Sequence, residues 1–228
     1  MKPQLLTALT VHRKHKTACA TVTNVHTGQQ ILLFEGGETG DLELSEAQKR
    51  AVLRRMAADK SGLDGDLFVR VYAPPARLVI IGAVHIAQFL APMAKLAGFD
   101  VTVIDPREAF VRSGSLSGVS AIVAWPDEGL NGIKPDTRTA IVTLTHDPKL
   151  DDPALVAALR SPAFYIGALG SKKNHAKRLE RLVAEGFSTD DLARINGPVG
   201  LAINAQSPAE IAVSIMAQVI ENLRRETA

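Results

Sequence analysis

The sequence is short of the residues that most catalytic and anchoring motifs need. Its 228 residues include one cysteine, Cys19, which excludes an intrachain disulfide, a Cys-x-x-Cys redox pair and a cysteine metal cage, and suits a reducing, cytoplasmic setting. On a predicted strand, that cysteine is expected to be a small core residue rather than a nucleophile. Charge of one sign is also missing: 26 Lys and Arg face 24 Asp and Glu, a net +2, too little to argue for nucleic acid or a membrane surface as a partner. No long hydrophobic run occurs. The start, Met1-Lys-Pro-Gln-Leu-Leu-Thr, lacks the apolar core of a signal, and the stretch from Leu78 is broken by His85, Gln88, Pro92 and Lys95, so neither reads as a membrane span. There is no serine elbow, no metal-ligand spacing among His12, His15 and His26, and no evident acid–base pair. These absences favour binding over catalysis.

What is present centres on Arg77-Leu-Val-Ile-Ile-Gly-Ala-Val-His, running on to Val101-Thr-Val-Ile-Asp105. An apolar, largely β-branched run reaches Gly82, a helical pattern follows from Val84 to Ala97, Gly98 ends it, and a second apolar run closes on an acid. That is a βαβ unit, whose glycine turn and helix start attract an anion. Against the dinucleotide fingerprint G-x-G-x-x-G/A, Gly82 and Ala87 fit, but Val84 stands where the second glycine lets backbone approach a pyrophosphate. A Rossmann-like scaffold is therefore expected, with NAD(P) the less favoured ligand.

Before this unit, residues 3–16 read as a short helix, and 18–23 with 30–34 as a hairpin about Thr27-Gly28. Ser45-Glu-Ala-Gln48 forms a capping box that opens a helix reaching Gly62, and Leu67 to Tyr72 is a strand. Pro74-Pro75 marks a linker, giving a small α+β domain, 1–73, and a Rossmann-like domain, 76–228. In the second domain, strands are expected at 119–124, 140–144 and 163–166. A helix is expected from the N-cap Asp152 with Pro153 in first position, another after Lys173 with Leu179, Leu182 and Val183 on one side and Lys177, Arg178 and Arg181 largely on another, a short helix capped by Ser188, and a buried helix opened by Ser207-Pro-Ala-Glu210. Such alternation implies an α/β, mainly parallel sheet with right-handed crossovers.

In an open parallel sheet, ligands bind outside the carboxyl ends of the strands. Four strand ends deliver Gly82, Ala83, Val84 and His85; Asp105 and Arg107; Thr145, His146 and Asp147; and Gly167, Gly170, Ser171, Lys172 and Lys173. Two glycines, a hydroxyl and two lysines before a helix suit a phosphate. Asp105 could accept from a ribose or a pterin ring, and Arg107 could meet a phosphate. His85, in a first helical turn, is expected to serve as a hydrogen-bonding group. Each of these residues also has a plain structural reading as a turn former or surface residue.

The run Leu144-Thr-His-Asp-Pro-Lys-Leu-Asp-Asp-Pro-Ala-Leu155, then Tyr165-Ile-Gly-Ala-Leu-Gly-Ser-Lys-Lys173, then Pro198-Val-Gly-Leu201 with Ser207-Pro-Ala-Glu-Ile-Ala-Val-Ser-Ile215, closely resembles the XdhC/CoxI family over residues 76 to 222. The family supplies accessory factors for xanthine dehydrogenase and related molybdenum hydroxylases. The resemblance implies a Rossmann-like domain that binds molybdenum cofactor (molybdopterin), protects it during sulfuration by a cysteine desulfurase, and delivers it to the apo-hydroxylase, with a homodimer or larger assembly expected. The phosphate would fall to the Val84 helix start or to Ser171, Lys172 and Lys173, the pterin edge to Asp105 or Asp147. The family's usual Gly-Ala-Gly-His turn is here Gly82-Ala83-Val84-His85, and Ala202 and Asn204 replace an acid and a glycine. Two other readings are an NAD(P)-dependent oxidoreductase and a cofactor-free docking scaffold for hydroxylase maturation.

Overall fold

The computed structural model describes residues 2–111 and 118–225; Met1 and 226–228, the outer ends of the two expected domains, lie outside the described residues. The chain divides into two compact units, one ending at Pro75 and the other beginning at Ala76.

The first unit runs α1 (Pro3–Lys14), β1 (Cys19–Asn24), β2 (Gln30–Phe34), β3 (Gly37–Gly40), α2 (Glu46–Ala57), β4 (Gly62–Asp64) and β5 (Leu67–Tyr72). Its strands form one antiparallel sheet in the order β3-β2-β1-β5-β4. Because side chains alternate along a strand, Ala20, Val22, Ile31, Leu33, Val69 and Val71 point together and bury Val52 of α2. Cys19 and Leu32 point the other way, onto Leu5 and Leu9 of α1. The expected hairpin is present, with Cys19 opposite Phe34. Burial pushes the Cys19 thiol up, although the Arg13 charge opposes this, as befits a core residue. The capping box also forms: the Ser45 hydroxyl accepts from the Gln48 amide, and the Gln48 side chain accepts from the Ser45 amide. Strands β3 and β4 were not expected, being three or four residues long and built around glycine.

The second unit runs β6 (Arg77–Ile81), α3 (His85–Leu96), β7 (Asp100–Ile104), α4 (Glu108–Val111), β8 (Ser120–Ile122), α5 (Pro126–Ile133), β9 (Thr139–Thr143), α6 (Pro148–Leu159), β10 (Tyr165–Ala168), α7 (Lys172–Ala184), α8 (Thr189–Leu192), β11 (Ile195–Asn196) and α9 (Pro208–Arg224). All six strands are parallel, in the order β11-β10-β9-β6-β7-β8. From β6 the chain winds outward to β8, then crosses back and winds the other way from β9, so the order reverses between β6 and β9. This is the doubly wound Rossmann arrangement. Helices on both faces explain why the strands are continuous apolar runs. Leu78, Ile80, Val103 and Val142 pack with Leu90 of α3 and Ile215 of α9. Val79, Ile81, Ile141 and Ile166 pack with Leu130 of α5, Leu155 of α6 and Leu182 of α7. Each such side chain, removed from water, contributes about 1.5–3 kcal/mol.

Two expectations are corrected. Helix α6 does not begin at Asp152-Pro153: Asp147 is the N-cap, its Oδ1 accepting from the Lys149 amide at 2.9 Å, and Pro148 takes the first position, leaving Pro153 inside the helix. The sequence holds two Asp-Pro pairs with the same signal, and Asp152 is instead engaged by the Arg181 guanidinium. In α7, Arg178 is not on the solvent side. It is buried together with Leu182, one turn on, while Val183 is exposed.

Candidate functional site

The carboxyl edge of the parallel sheet carries every residue nominated from sequence, in two groups. The first surrounds the reversal between β6 and β9. Gly82 turns the chain at φ +103, which L side chains rarely adopt, and a Cβ there would stand 2.6 Å from Thr145 Cγ2. Glycine is thus needed both for the turn and for the close approach of the two strand ends. Val84 is the N-cap of α3 in ordinary extended conformation (φ −93, ψ 176), with no side chain capping the helix. The fold therefore makes no demand for glycine at that position; only a close-lying ligand would. His85 opens α3 and is exposed.

Asp105, at the end of β7, has no exposed surface. Its Oδ2 accepts from the Ala83 amide at 2.8 Å and Arg107 Nη2 at 2.7 Å, and its Oδ1 accepts from the Arg107 amide and Nε, both at 2.9 Å. Four donors fill a carboxylate. Burial alone would raise this carboxyl, but the Arg107 guanidinium and the Ala83 and Arg107 amides together hold it below the usual carboxylate range. The acid that was expected to meet a ribose or pterin thus ties two rim loops together, and Arg107, its side chain 41% exposed, is what reaches the surface. Hydrogen bonding to Asp105 holds Arg107 above its ordinary value against some burial, with the charge of Asp147 adding to it. Asp147 lies exposed at the start of α6, where Oδ1 caps the helix. Gly82, Ala83, Asp105, Arg107, Thr145 and Asp147 are therefore one cluster.

The second group lies between the starts of α6 and α7. Thr145 Oγ1 donates to Asp151 Oδ1 at 2.6 Å, and Arg178 Nη2 lies 3.5 Å from Asp151 Oδ2 while donating to the Leu169 carbonyl at 2.8 Å. Asp151 and Arg178 are 1% and 4% exposed. Burial pushes the Asp151 carboxyl up despite Thr145 and Arg178, and pushes Arg178 down despite Asp151. With His146 (φ +61), Asn174 and Lys177 they line a polar cavity of about 200 Å³. Ser171 caps α7, its Oγ accepting from the Asn174 amide at 3.2 Å, and Lys172 and Lys173 are exposed beside it. Gly170 (φ +146) lies over the Arg178 guanidinium. Gly167 proves to be a packing residue: it is buried within β10, and a Cβ there would meet Val199 Cγ2 and the Tyr165 ring.

Sequence reasoning missed Asp151 and Arg178. The available signal was register: Arg178 sits four residues before the buried Leu182, and Asp151 four before the buried Leu155, so each turns inward. A larger concavity, about 730 Å³, is lined by Leu130, Val156, Arg160 and Glu185 among others. It runs toward the C-terminal ends of α5, α6 and α7 and shares Asp152 and Arg181 with the smaller cavity, and none of the nominated residues lines it.

Among the described residues no group of three or more His, Cys, Asp or Glu is placed to hold a metal ion, and no helix is long and apolar enough to cross a membrane. Comparison with known proteins places these features. The model of the XdhC Rossmann domain matches residues 78–219. The molybdenum cofactor insertion chaperone PaoD of Escherichia coli is 32% identical over 148 residues, covering 65% of this chain and 40% of that protein. A protein of Bacillus subtilis, named as a probable subunit of xanthine dehydrogenase, is 29% identical over 213 residues, covering 91% of this chain and 62% of that protein. This chain thus spans less than two thirds of the length of these curated relatives. Among solved structures, a xanthine dehydrogenase from Bacillus halodurans superposes with a TM-score of 0.78 at 26% identity, covering 97% of this chain and 67% of that one.

Proposed function

The chain belongs to the XdhC family, and on that premise we propose that it is an accessory factor for a molybdenum hydroxylase of the xanthine dehydrogenase type. It binds the molybdenum cofactor, shields it while a partner cysteine desulfurase supplies sulfur, and passes it to the apo-hydroxylase. The names of the Escherichia coli and Bacillus subtilis relatives support the accessory role. When bound, the cofactor brings the molybdenum centre that the client enzyme will use; the chain itself needs only to hold and release it. Work as a homodimer in the cytoplasm is part of the same reading.

The observation that carries this over a dinucleotide reading is the state of Asp105. An NAD-type site needs that acid open to a ribose, and here its four acceptor positions are taken by Ala83 and Arg107, while Val84 crowds the pyrophosphate position. What stays exposed at the rim is a cationic and acceptor-bearing surface: Arg107, Lys172 and Lys173 for a phosphate, and Asp147, whose Oδ2 makes no hydrogen bond to a described residue, for ring N–H donors. Such a surface fits the phosphate and pterin edge of molybdopterin.

The test is an anaerobic titration of the protein with released molybdenum cofactor, run beside NADH and NADPH, for the native chain, Asp147→Ser and Val84→Gly. Asp147→Ser keeps an N-cap while removing the charge. Saturable cofactor binding weakened by Asp147→Ser, with no nucleotide response even in Val84→Gly, is the expected result. Nucleotide binding without cofactor binding would return the oxidoreductase reading, and silence from all three ligands would leave a docking scaffold.

A further inference from the structure

The cavity between α6 and α7 contains a buried cation whose hydrogen bonding is incomplete. Arg178 is 4% exposed, yet its Nε and Nη1 are buried without a hydrogen-bond partner among the described residues. Only Nη2 is engaged, by Leu169 and, at 3.5 Å, by Asp151. Buried guanidinium donors are costly to leave unmade, and Arg178 is one of the residues that line the polar space of about 200 Å³. The cavity's charge favours an anion. Asp151 is paired with Arg178 and Asp152 with Arg181, so Lys177 is the lining charge left over. Helix α7, 13 residues long, starts at the same place, with Lys172 and Lys173 in its first turn, and its dipole adds to the positive field. Gly170 has no Cβ, and one would lie 3.6 Å from Asn174 Cβ and 3.7 Å from Arg178 Nη2, so the backbone there passes close to the guanidinium.

We propose that this cavity is a binding site for the phosphate group of an organic phosphate ester, with Arg178 as its buried receptor and Lys177 and the start of α7 completing it. A cavity below the usual range for drug-sized ligands, roughly 300–1,000 Å³, takes a phosphate group and leaves the organic part outside. The donors suit this division: a deep guanidinium grips one or two oxygens, and the exposed Lys177 and the helix start meet those nearer the mouth. The site stands on its own geometry and rests on the carrier reading only for which ester arrives.

The experiment measures binding of inorganic phosphate and of glycerol 3-phosphate by calorimetry and ³¹P line broadening at fixed ionic strength. It compares the native chain with Arg178→Lys, Lys177→Gln and, as an equal loss of charge at the amino edge of the sheet, Arg138→Gln. The expected result is saturable binding of both probes, with the ester at least as tight. Affinity should fall about tenfold in Arg178→Lys, which keeps the charge but not the planar donors, and about threefold in Lys177→Gln, with no change in Arg138→Gln. Absence of saturable binding, undiminished affinity in a folded Arg178→Lys, or phosphate bound without the ester would each overturn the proposal. Should Arg178→Lys fail to fold, unchanged affinity in the exposed Lys177→Gln variant overturns it. Ester binding that survives while the molybdenum cofactor fails to bind would sink the carrier reading and leave this site standing; the reverse pattern would do the opposite.

Discussion

Two buried aspartates at one sheet edge have been given opposite fates. Asp105 and Asp151 are 0% and 1% exposed, and each has an arginine beside it. Yet Asp105 is held below the ordinary carboxylate range and Asp151 above it. Burial pushes both upward, Asp151 in the more deeply buried surroundings, and the donors widen the difference. Asp105 receives four hydrogen bonds between 2.7 and 2.9 Å, two from backbone amides and two from a guanidinium that reaches water. Asp151 has one short bond, from Thr145, and long contacts of 3.4 Å to an amide and 3.5 Å to a guanidinium that is itself buried. A buried pair repays its desolvation only when hydrogen bonding is complete. The rim near β7 is finished, whereas the one between α6 and α7 is left wanting a partner.

The sharpest way to break this contrast is Asp105→Asn, which should cost about 4 kcal/mol in denaturant unfolding at neutral pH, because Ala83 and Arg107 lose their shared charged acceptor. A depressed carboxyl stabilises above its unfolded value and loses that contribution as pH falls through its folded one. The gap between native and variant should therefore be full at neutral pH and close below the ordinary carboxylate range; a gap that persists there refutes the assignment. Arg178→Met should cost less, about 2.5 kcal/mol at pH 8, because the contact it breaks is long, 3.5 Å, and two donors without a partner leave with it; the raised Asp151 carboxyl can also take up a proton as pH falls. The penalty on an ionised Asp151 is present above its folded value and relieved below it, so the same variant measured at pH 5 should show a smaller deficit. An equal deficit at both pH values would mean that Asp151 is not elevated. Thr145→Val, which removes the one short bond to Asp151, should cost about 1.5 kcal/mol, and combined with Asp151→Asn the two losses should add to less than their sum.

Much of this was legible in the chain. The β6-α3-β7 unit follows from an apolar run, a glycine and an acid, and the capping boxes at Ser45 and Ser207 and the cap at Ser188 appear where the sequence puts them. Local signals failed where two sites carried the same one, as with Asp147-Pro148 and Asp152-Pro153. They failed again where tertiary packing overrode polarity, as with Arg178. Trp125 opens α5 without any capping side chain, leaving only Pro126 and the acids Asp127 and Glu128 as start signals, and β11, two residues long, offered no local pattern to read. At the candidate site, sequence named residues that the fold gathers at one rim, but not the division of labour within it. That Asp105 ties loops together depends on where Ala83 and Arg107 point, and no spacing records that.

Each sheet ends on short strands: β3 and β4 have four and three residues, β8 and β11 three and two. A neighbouring chain seeking to add a strand would find room for only a few ladder bonds at any of these borders, which is how natural sheets discourage runaway edge-to-edge aggregation. On the proposed reading, the chain has to be met by several different proteins in turn. With its β-borders kept this brief, such meetings are steered to helices and loops, where contacts can be made and undone without threading one backbone into another.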